Sequence, residues 1–248
     1  MKSRFAPKLL VAAMLSAAIA TPALANEAGD WLFRIGAGYI ATDTSNDELV
    51  FEGITLSDFR ADVDDGIGLV FNLSYFLSPN WAVELLAAAP YKHDIDGQGA
   101  LASLGKLGRT YHLPPTLSLQ YHFAPGAKFR PYVGAGLNYT LFFNDKLEQS
   151  THDGIVATAN GALGTNFDGG HSSLDIDDSF GAAFQVGMDM QITDKWFTNL
   201  DLRYIFIDAD ADIETTTFDA AGAPTVFNSN FDLSIDPWVL SWTVGFKF

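Results

Sequence analysis

Charged residues of both signs recur where large apolar residues alternate with small or polar ones. Arg34, Glu84, Arg130, Asp189, Asp201 and Arg203 each fall on the small-and-polar face of a segment whose other face is apolar. Such a mixed set is more easily explained by pairing inside a confined space than by facing solvent. Gln120, His122 and Lys247 occupy equivalent positions. Catalysis is the competing use of such side chains. The five histidines, His93, His112, His122, His152 and His171, show no His-Ser-acid spacing that stands out, so no catalytic residue is assigned.

Cation binding is a second chemistry to weigh. Eight acids lie between Asp43 and Asp65, seven between Asp145 and Asp178, and seven between Asp208 and Asp236, against only Arg60 and Lys146. Asp208, Asp210, Asp212 and Glu214 would share one strand face. Hard cations prefer several carboxylates, and a bound divalent ion could bridge to anionic lipopolysaccharide. No compact D-x-D-x-D-G loop with a closing Glu occurs, so a solvated, mutually repelling surface is the favoured reading. No metal and no cofactor are assigned.

The elements that must position these residues are strands. In the closing stretch, Trp238, Leu240, Trp242, Val244, Phe246 and Phe248 alternate with Val239, Ser241, Thr243, Gly245 and Lys247, a strand with two unlike faces. Taken alone it fits a soluble sandwich and a lipid-facing wall about equally. Seven earlier segments share the pattern, starting at Trp31, Gly66, Trp81, Thr116, Phe129, Phe180 and Trp196. Short turns follow the second, fourth and sixth, and long connections follow the first, third, fifth and seventh. Asn144 to Asp178 is polar and glycine-rich and reads as loop, as do Tyr91 to Leu113 and the stretch leading to the last strand. That rhythm predicts an all-β, eight-stranded antiparallel up-and-down transmembrane barrel with short periplasmic turns, long external loops and both termini periplasmic. Trp81, Trp196, Phe123 and Phe248 are expected at the inner membrane interface, and Tyr91, Tyr139, Phe143 and Trp238 at the outer one.

The first residues name the export route. Lys2, Arg4 and Lys8 precede an apolar stretch, Leu9 to Ala20, and an A-x-A-like site at Ala23-Leu24-Ala25, so residues 1–25 read as a signal peptide and 26–248 as the barrel. Cleavage would remove three of 14 basic residues and none of 30 acidic ones, leaving a charge of −19. So acidic a chain is a poor nucleic-acid binder, and with no cysteine it has no disulfide or thiolate chemistry.

Several stretches resemble the outer-membrane protein W (OmpW/AlkL) family: VELLAAAPYKH from Val83, HLPPTLSLQYHF from His112, FRPYVGAGLNYTLFF from Phe129, DSFGAAFQVGMDM from Asp178, and the ending DPWVLSWTVGFKF. The resemblance spans most of the barrel and weakens in the first and last external loops and from Asn144 to Asp177. It implies a barrel in a Gram-negative outer membrane, with a narrow hydrophobic channel that admits small apolar molecules.

Height along the strands gives an independent reading. Arg34, Glu84, Gln120, His122, Arg130, Asp189, Asp201, Arg203 and Lys247 fall near the short turns and form a polar floor. Ile40, Val70, Leu86, Ala88, Phe142, Ile205, Ile207 and Val239 fall near the long loops and form an apolar cup. An eight-stranded interior holds its own side chains or one small ligand. The expectation is a porin-like channel for small hydrophobic molecules, entered from the loops and left sideways, with Gly134, Gly136, Gly181 and Gly187 weakening the wall. Two alternatives stay open: that the upper residues only fill the barrel, and that the protein is a non-conducting structural or adhesive barrel. Expected partners are outer-membrane lipid and lipopolysaccharide, small hydrophobic solutes, and the assembly machinery through Phe248.

Overall fold

Alternation of this kind needs a closed wall to sort its two faces, and the computed structural model contains one. It describes residues 25–46, 49–56 and 58–248, so the expected signal peptide, residues 1–25, lies almost wholly outside the described residues. In chain order the strands are β1 (Trp31–Ala41), β2 (Ser45–Asn46), β3 (Leu49–Phe51), β4 (Ile54–Leu56), β5 (Phe59–Val63), β6 (Gly66–Phe76), β7 (Trp81–Ala88), β8 (Tyr91–Gly99), β9 (Lys106–Leu113), β10 (Thr116–His122) and β11 (Phe129–Leu147). Helix α1 (Gln149–Leu163) follows, then β12 (Asp168–Ile176), β13 (Ser179–Gln191), β14 (Trp196–Ile205), β15 (Asp208–Phe218), β16 (Pro224–Ser234) and β17 (Trp238–Lys247).

Eight of these close the wall in the order β1, β6, β7, β10, β11, β13, β14, β17, each antiparallel to its neighbours, and β17 returns to β1 with Leu32 opposite Lys247. Closure leaves no unpaired edge, the condition for a sheet to cross lipid. The outward face carries Phe33, Ile35, Leu117, Leu119, Leu240, Trp242 and Val244, all exposed. Trp31, Trp81 and Trp196 ring the short-turn end, and Tyr39, Tyr139 and Trp238 the other. Tyr91 departs from the expected girdle: it is 3 % exposed and points inward, because the chain continues as wall above Pro90 instead of leaving the membrane as loop.

The long connections are structured, which corrects their reading as loops. Tyr91 to Leu113 is the hairpin β8–β9, Asp208 to Ser234 the hairpin β15–β16, and Asn144 to Asp178 holds the end of β11, α1 and β12. Composition hid the helix, which has two internal glycines and a narrow apolar stripe. Its stability comes from docking Thr151, His152, Val156 and Ala159. It stops at Gly164, left-handed at φ 65°, whose N–H reaches Asn160 O at 2.9 Å.

Above the wall the cylinder divides. β5, β8, β9 and the end of β11 form one sheet, and β12, β15, β16, β3 and β4 another, with β2 joined to β16. The wall ladder between β11 and β13 ends at Thr140 opposite Ser179, and that between β1 and β6 at Ile40 opposite Gly66. Beyond these points two seams open between the sheets. Side chains stitch them: Thr42 Oγ1 donates to Val63 O and Thr44 Oγ1 accepts Val63 N at one seam, while the Asp145 carboxylate takes the N–H of Ile176 at the other.

Candidate functional site

The lowest layer of the lumen is apolar. Leu32, Phe76, Ala82 and Phe197 are fully buried and pack together beneath the charges. Sequence height alone missed this plug, although the period-2 pattern already placed Phe76 on the inner face. Above it the expected floor residues converge. Arg34 gives Nε and Nη2 to the two oxygens of Asp189 at 3.2 and 3.0 Å, and Nη1 to Glu84 Oε2 at 3.0 Å and Ser74 Oγ at 2.7 Å. The other Glu84 oxygen takes Arg203 Nη2 at 2.8 Å, so one carboxylate bridges two guanidinium groups. Asp201 Oδ1 lies 3.5 Å from Arg203 Nε, and its Oδ2 accepts from Tyr132 OH at 2.8 Å. Asn199 Nδ2 donates to Tyr132 OH and to Asp189.

The remaining floor residues stand around this centre. His122 Nε2 lies 3.0 Å from Gln120 Oε1, and its ring stacks on Tyr132 with centroids 4.8 Å apart. Arg130 donates to Asn26 Oδ1 at 3.1 Å, so the segment before β1 reaches into the mouth of the barrel. Lys247 stays at the rim, 2.6 Å from Asp30. Buried ions are tolerated only when paired and hydrogen-bonded, and here every floor carboxylate meets a cation.

The eight cup residues also face inward. Ile40, Val70, Phe142, Ile205, Ile207 and Val239 belong to one continuous buried apolar cluster, with Ala88 packed against it. Leu86 is buried outside that cluster, between Asn72 and Thr116. None of the eight is in the lining of the cavity of about 240 Å³ that lies one layer higher, between the two upper sheets, with Phe51, Ile95, Leu107, Leu174, Ile213 and Phe231 among its walls. Thr151, Gly154, Ile155 and Thr158 of α1 form its roof. A signal for this layer was present in the sequence: opposite the acidic face of β15, Ala209, Ala211 and Ile213 alternate inward.

The apolar cluster runs on into the cavity walls through Ala61, Ile95, Leu107, Leu174 and Ile213; Tyr91 belongs to it and His93 lies beside Tyr91. Tyr91 and His93 lie against Gly68 and Gly66, where a Cβ would come within 2.4 and 2.8 Å of their rings. His93 stacks on His112 at 4.7 Å, nearly parallel. Burial holds the His112 imidazole down at about 3 and pushes the Tyr91 phenol up to about 12. His93 is also lowered by burial, against the pull of Asp64, Asp65 and Asp94.

The four wall glycines do not loosen the barrel as expected. A Cβ on Gly134 would strike Gln185, on Gly136 the Leu117 carbonyl, on Gly181 the Phe206 carbonyl and on Gly187 the Tyr132 ring, all at 2.5 Å or less. Each marks close packing.

Three junctions between wall and upper sheets share one construction. Asp65 accepts Tyr39 OH at 2.6 Å and Thr42 N at 3.1 Å. Asp178 accepts Tyr139 OH at 2.8 Å and Phe142 N at 3.1 Å. Asp236 accepts Tyr204 OH at 3.3 Å and Ile207 N at 3.1 Å. These carboxylates are committed to the backbone.

The remaining acids lie outside the lumen. Asp208, Asp210, Asp212 and Glu214 share the exposed face of β15, and among the described residues no three histidine or acidic side chains come together as a metal site. His152 meets Ser172 Oγ at 3.0 Å, but its other ring nitrogen faces the Gly169 carbonyl, a structural tie between α1 and β12.

Comparisons with known proteins agree with this geometry. Outer membrane protein W of Vibrio cholerae is 37% identical over 238 residues, 95% of this chain and 96% of that one. The crystal structure of the outer membrane protein OprG from Pseudomonas aeruginosa superposes with a TM-score of 0.74 at 32% identity, covering 90% of this chain and 98% of that one. The solid-state NMR structure of outer membrane protein AlkL in lipid bilayers gives 0.56 at 25% identity, covering 94% and 97%. The model of the OmpW family matches residues 27–248. A closed eight-stranded wall, short turns at one end, built-up strands at the other and a family match along the whole barrel make this chain a member of the OmpW family, a β-barrel of the Gram-negative outer membrane.

Proposed function

We propose that the protein takes up small hydrophobic molecules from outside the cell. The observation that carries this is the apolar cavity beneath α1, set on an apolar cluster and above a sealed ionic floor. Such a stack offers nothing to ions or polar solutes and no straight path to the periplasm. A solute entering above would leave through a seam where the ladder stops, between β11 and β12 or between β2 and β5, and pass into lipid. Ile40, Val70, Leu86, Ala88, Phe142, Ile205, Ile207 and Val239 then form the inner end of the path. No step of this route calls on a catalytic group.

Lipid surrounds the barrel. We further infer that the outer surface meets lipopolysaccharide, and that the assembly machinery reads the exposed terminal Phe248.

The test is uptake of a labelled alkane by cells or vesicles carrying the protein. Ile213→Asp or Leu174→Arg should lower uptake about tenfold or more while the folded, heat-modifiable barrel persists, since burying an unpaired charge excludes an apolar solute. Normal uptake in both variants would reject the cavity as the site. If deleting the whole protein leaves sensitivity to apolar solutes unchanged, the non-conducting structural or adhesive reading takes its place.

A further inference from the structure

The cavity has a polarity of its own. The three acidic segments of the upper region carry 22 acids against two bases, yet among the described residues no acid lines the cavity. Among the described residues its one charged lining residue is Arg60. The depths are formed by buried Ala61, Leu107, Leu174 and Ile213. Arg60 lines it from β5, next to buried Ala61, and its side chain is 56 % exposed. The polar groups of the roof are already committed, Thr151 Oγ1 to Leu107 O and Thr158 Oγ1 to Gly154 O, so they do not compete for a ligand.

A purely apolar solute gains nothing from a guanidinium in the lining. We infer that the occupant suited to this cavity is a small amphiphile with a carboxylate head, its tail among the inner apolar residues and its head against Arg60. The inference rests on the uptake reading and narrows its substrate class. Size agrees: about 240 Å³ lies just below the roughly 300 Å³ at which drug-sized pockets begin. The head faces one competitor. Arg60 Nη2 is paired with Asp58 Oδ1 at 2.7 Å, and Asp58 is 62 % exposed. An exposed pair is weak, and guanidinium carries five donors in a fork that matches a carboxylate, so a ligand carboxylate displaces or shares that contact.

Other upper-region cations are differently employed. Lys92 and Lys106 pair with Asp94, and Lys106 also with Glu148, away from the lining. The acidic surface repels anions over long range. Recognition of a carboxylate is therefore local to Arg60, and it disappears when the head is protonated.

The experiment uses the whole mature chain in lipid nanodiscs, with calorimetric titration of octanoate and 1-octanol against empty nanodiscs. Arg60→Gln should weaken octanoate about fivefold, the size of one good exposed ion pair, and leave octanol unchanged. Asp58→Asn removes the competitor and should tighten octanoate by a similar factor, again without effect on octanol. Equal shifts for both probes, or an octanoate affinity indifferent to both variants, would overturn the inference and leave apolar uptake standing. Failure of octanoate alone to bind the unaltered protein would overturn the inference, and failure of both probes would overturn the cavity as a ligand site altogether.

Discussion

The two halves of this lumen are built from the same strand pattern and behave as opposites. In the lower half, Glu84 bridges Arg34 and Arg203 while Asp189 grips Arg34 with both oxygens, so each side chain is fixed by several partners. In the upper half the inward positions are mainly Ile, Val, Leu, Ala and Phe, with Tyr91, His93 and His112 among them, the cylinder parts into two sheets, and space remains between them. Directional bonds make a seal because each member holds its neighbours in place. Non-directional contacts make a container, since an apolar solute can replace one packing partner by another. Charge alternation on the inner face thus decides between barrier and receptacle without any change in the wall.

The largest blow to that contrast should come from Arg34→Ala. It leaves Asp189 without its paired guanidinium and Glu84 with Arg203 alone, and is expected to cost about 3–5 kcal/mol in urea unfolding from lipid vesicles. A loss below about 1 kcal/mol would reduce the floor to the level of a surface ion pair. Acid should act on the upper half next. Buried His112 is held neutral, so its contribution is complete above its unfolded value near 6.5 and is lost as the pH falls towards about 3. That amounts to about 3 kcal/mol at most by pH 4, read as faster amide exchange in β8 and β9. The neighbouring His93, Tyr91 and Phe142 offer His112 no carboxylate to offset it. His112→Phe should flatten the pH profile, and an unchanged profile would refute this account.

Ile207→Val tests whether the apolar cluster is tightly packed or adaptable. A cost of about 1 kcal/mol is expected for a close-packed site, and no measurable cost would extend the open layer downward. Smallest is Tyr139→Phe, which removes one hydrogen bond to Asp178 and should cost about 0.5–1 kcal/mol. Its diagnostic reading is local, because exchange should rise at Phe142, the other donor to that carboxylate.

The wall was legible because its signal is strictly local: two-residue alternation, Ser78-Pro79-Asn80 and Ala124-Pro125-Gly126 turns, and aromatic ends. Arg34, Glu84, Asp189, Asp201 and Arg203 were legible as a group because charges on an inner face have only each other. Their partners were not. The bridging role of Glu84 depends on strands far apart in sequence, and Phe197 and Leu32 carry no polar mark that would set them at the bottom. The upper layer stayed hidden for a different reason. Short interruptions at Pro90, Pro114-Pro115 and Pro237 looked like strand ends, although the same ladders resume beyond them as β8–β9 and β15–β16. Proline removes one donor, which breaks an assigned strand without turning the chain away. Tyr91 and the α1 region were misread because composition was judged where only packing decides.

The pairing of β1 with β17 also sets an order of events. Leu32 meets Lys247 and Ala41 meets Trp238, residues from opposite ends of the chain, whereas β8–β9 and β15–β16 join near neighbours. Local hairpins form fast and distant pairings slowly. The upper arms can therefore be complete while the cylinder is still an open sheet. Until the last ten residues dock, β1 and β14 each present an edge of unpaired N–H and C=O groups, which hydrocarbon does not tolerate. Insertion and closure must then be one step, and the final strand decides when it happens.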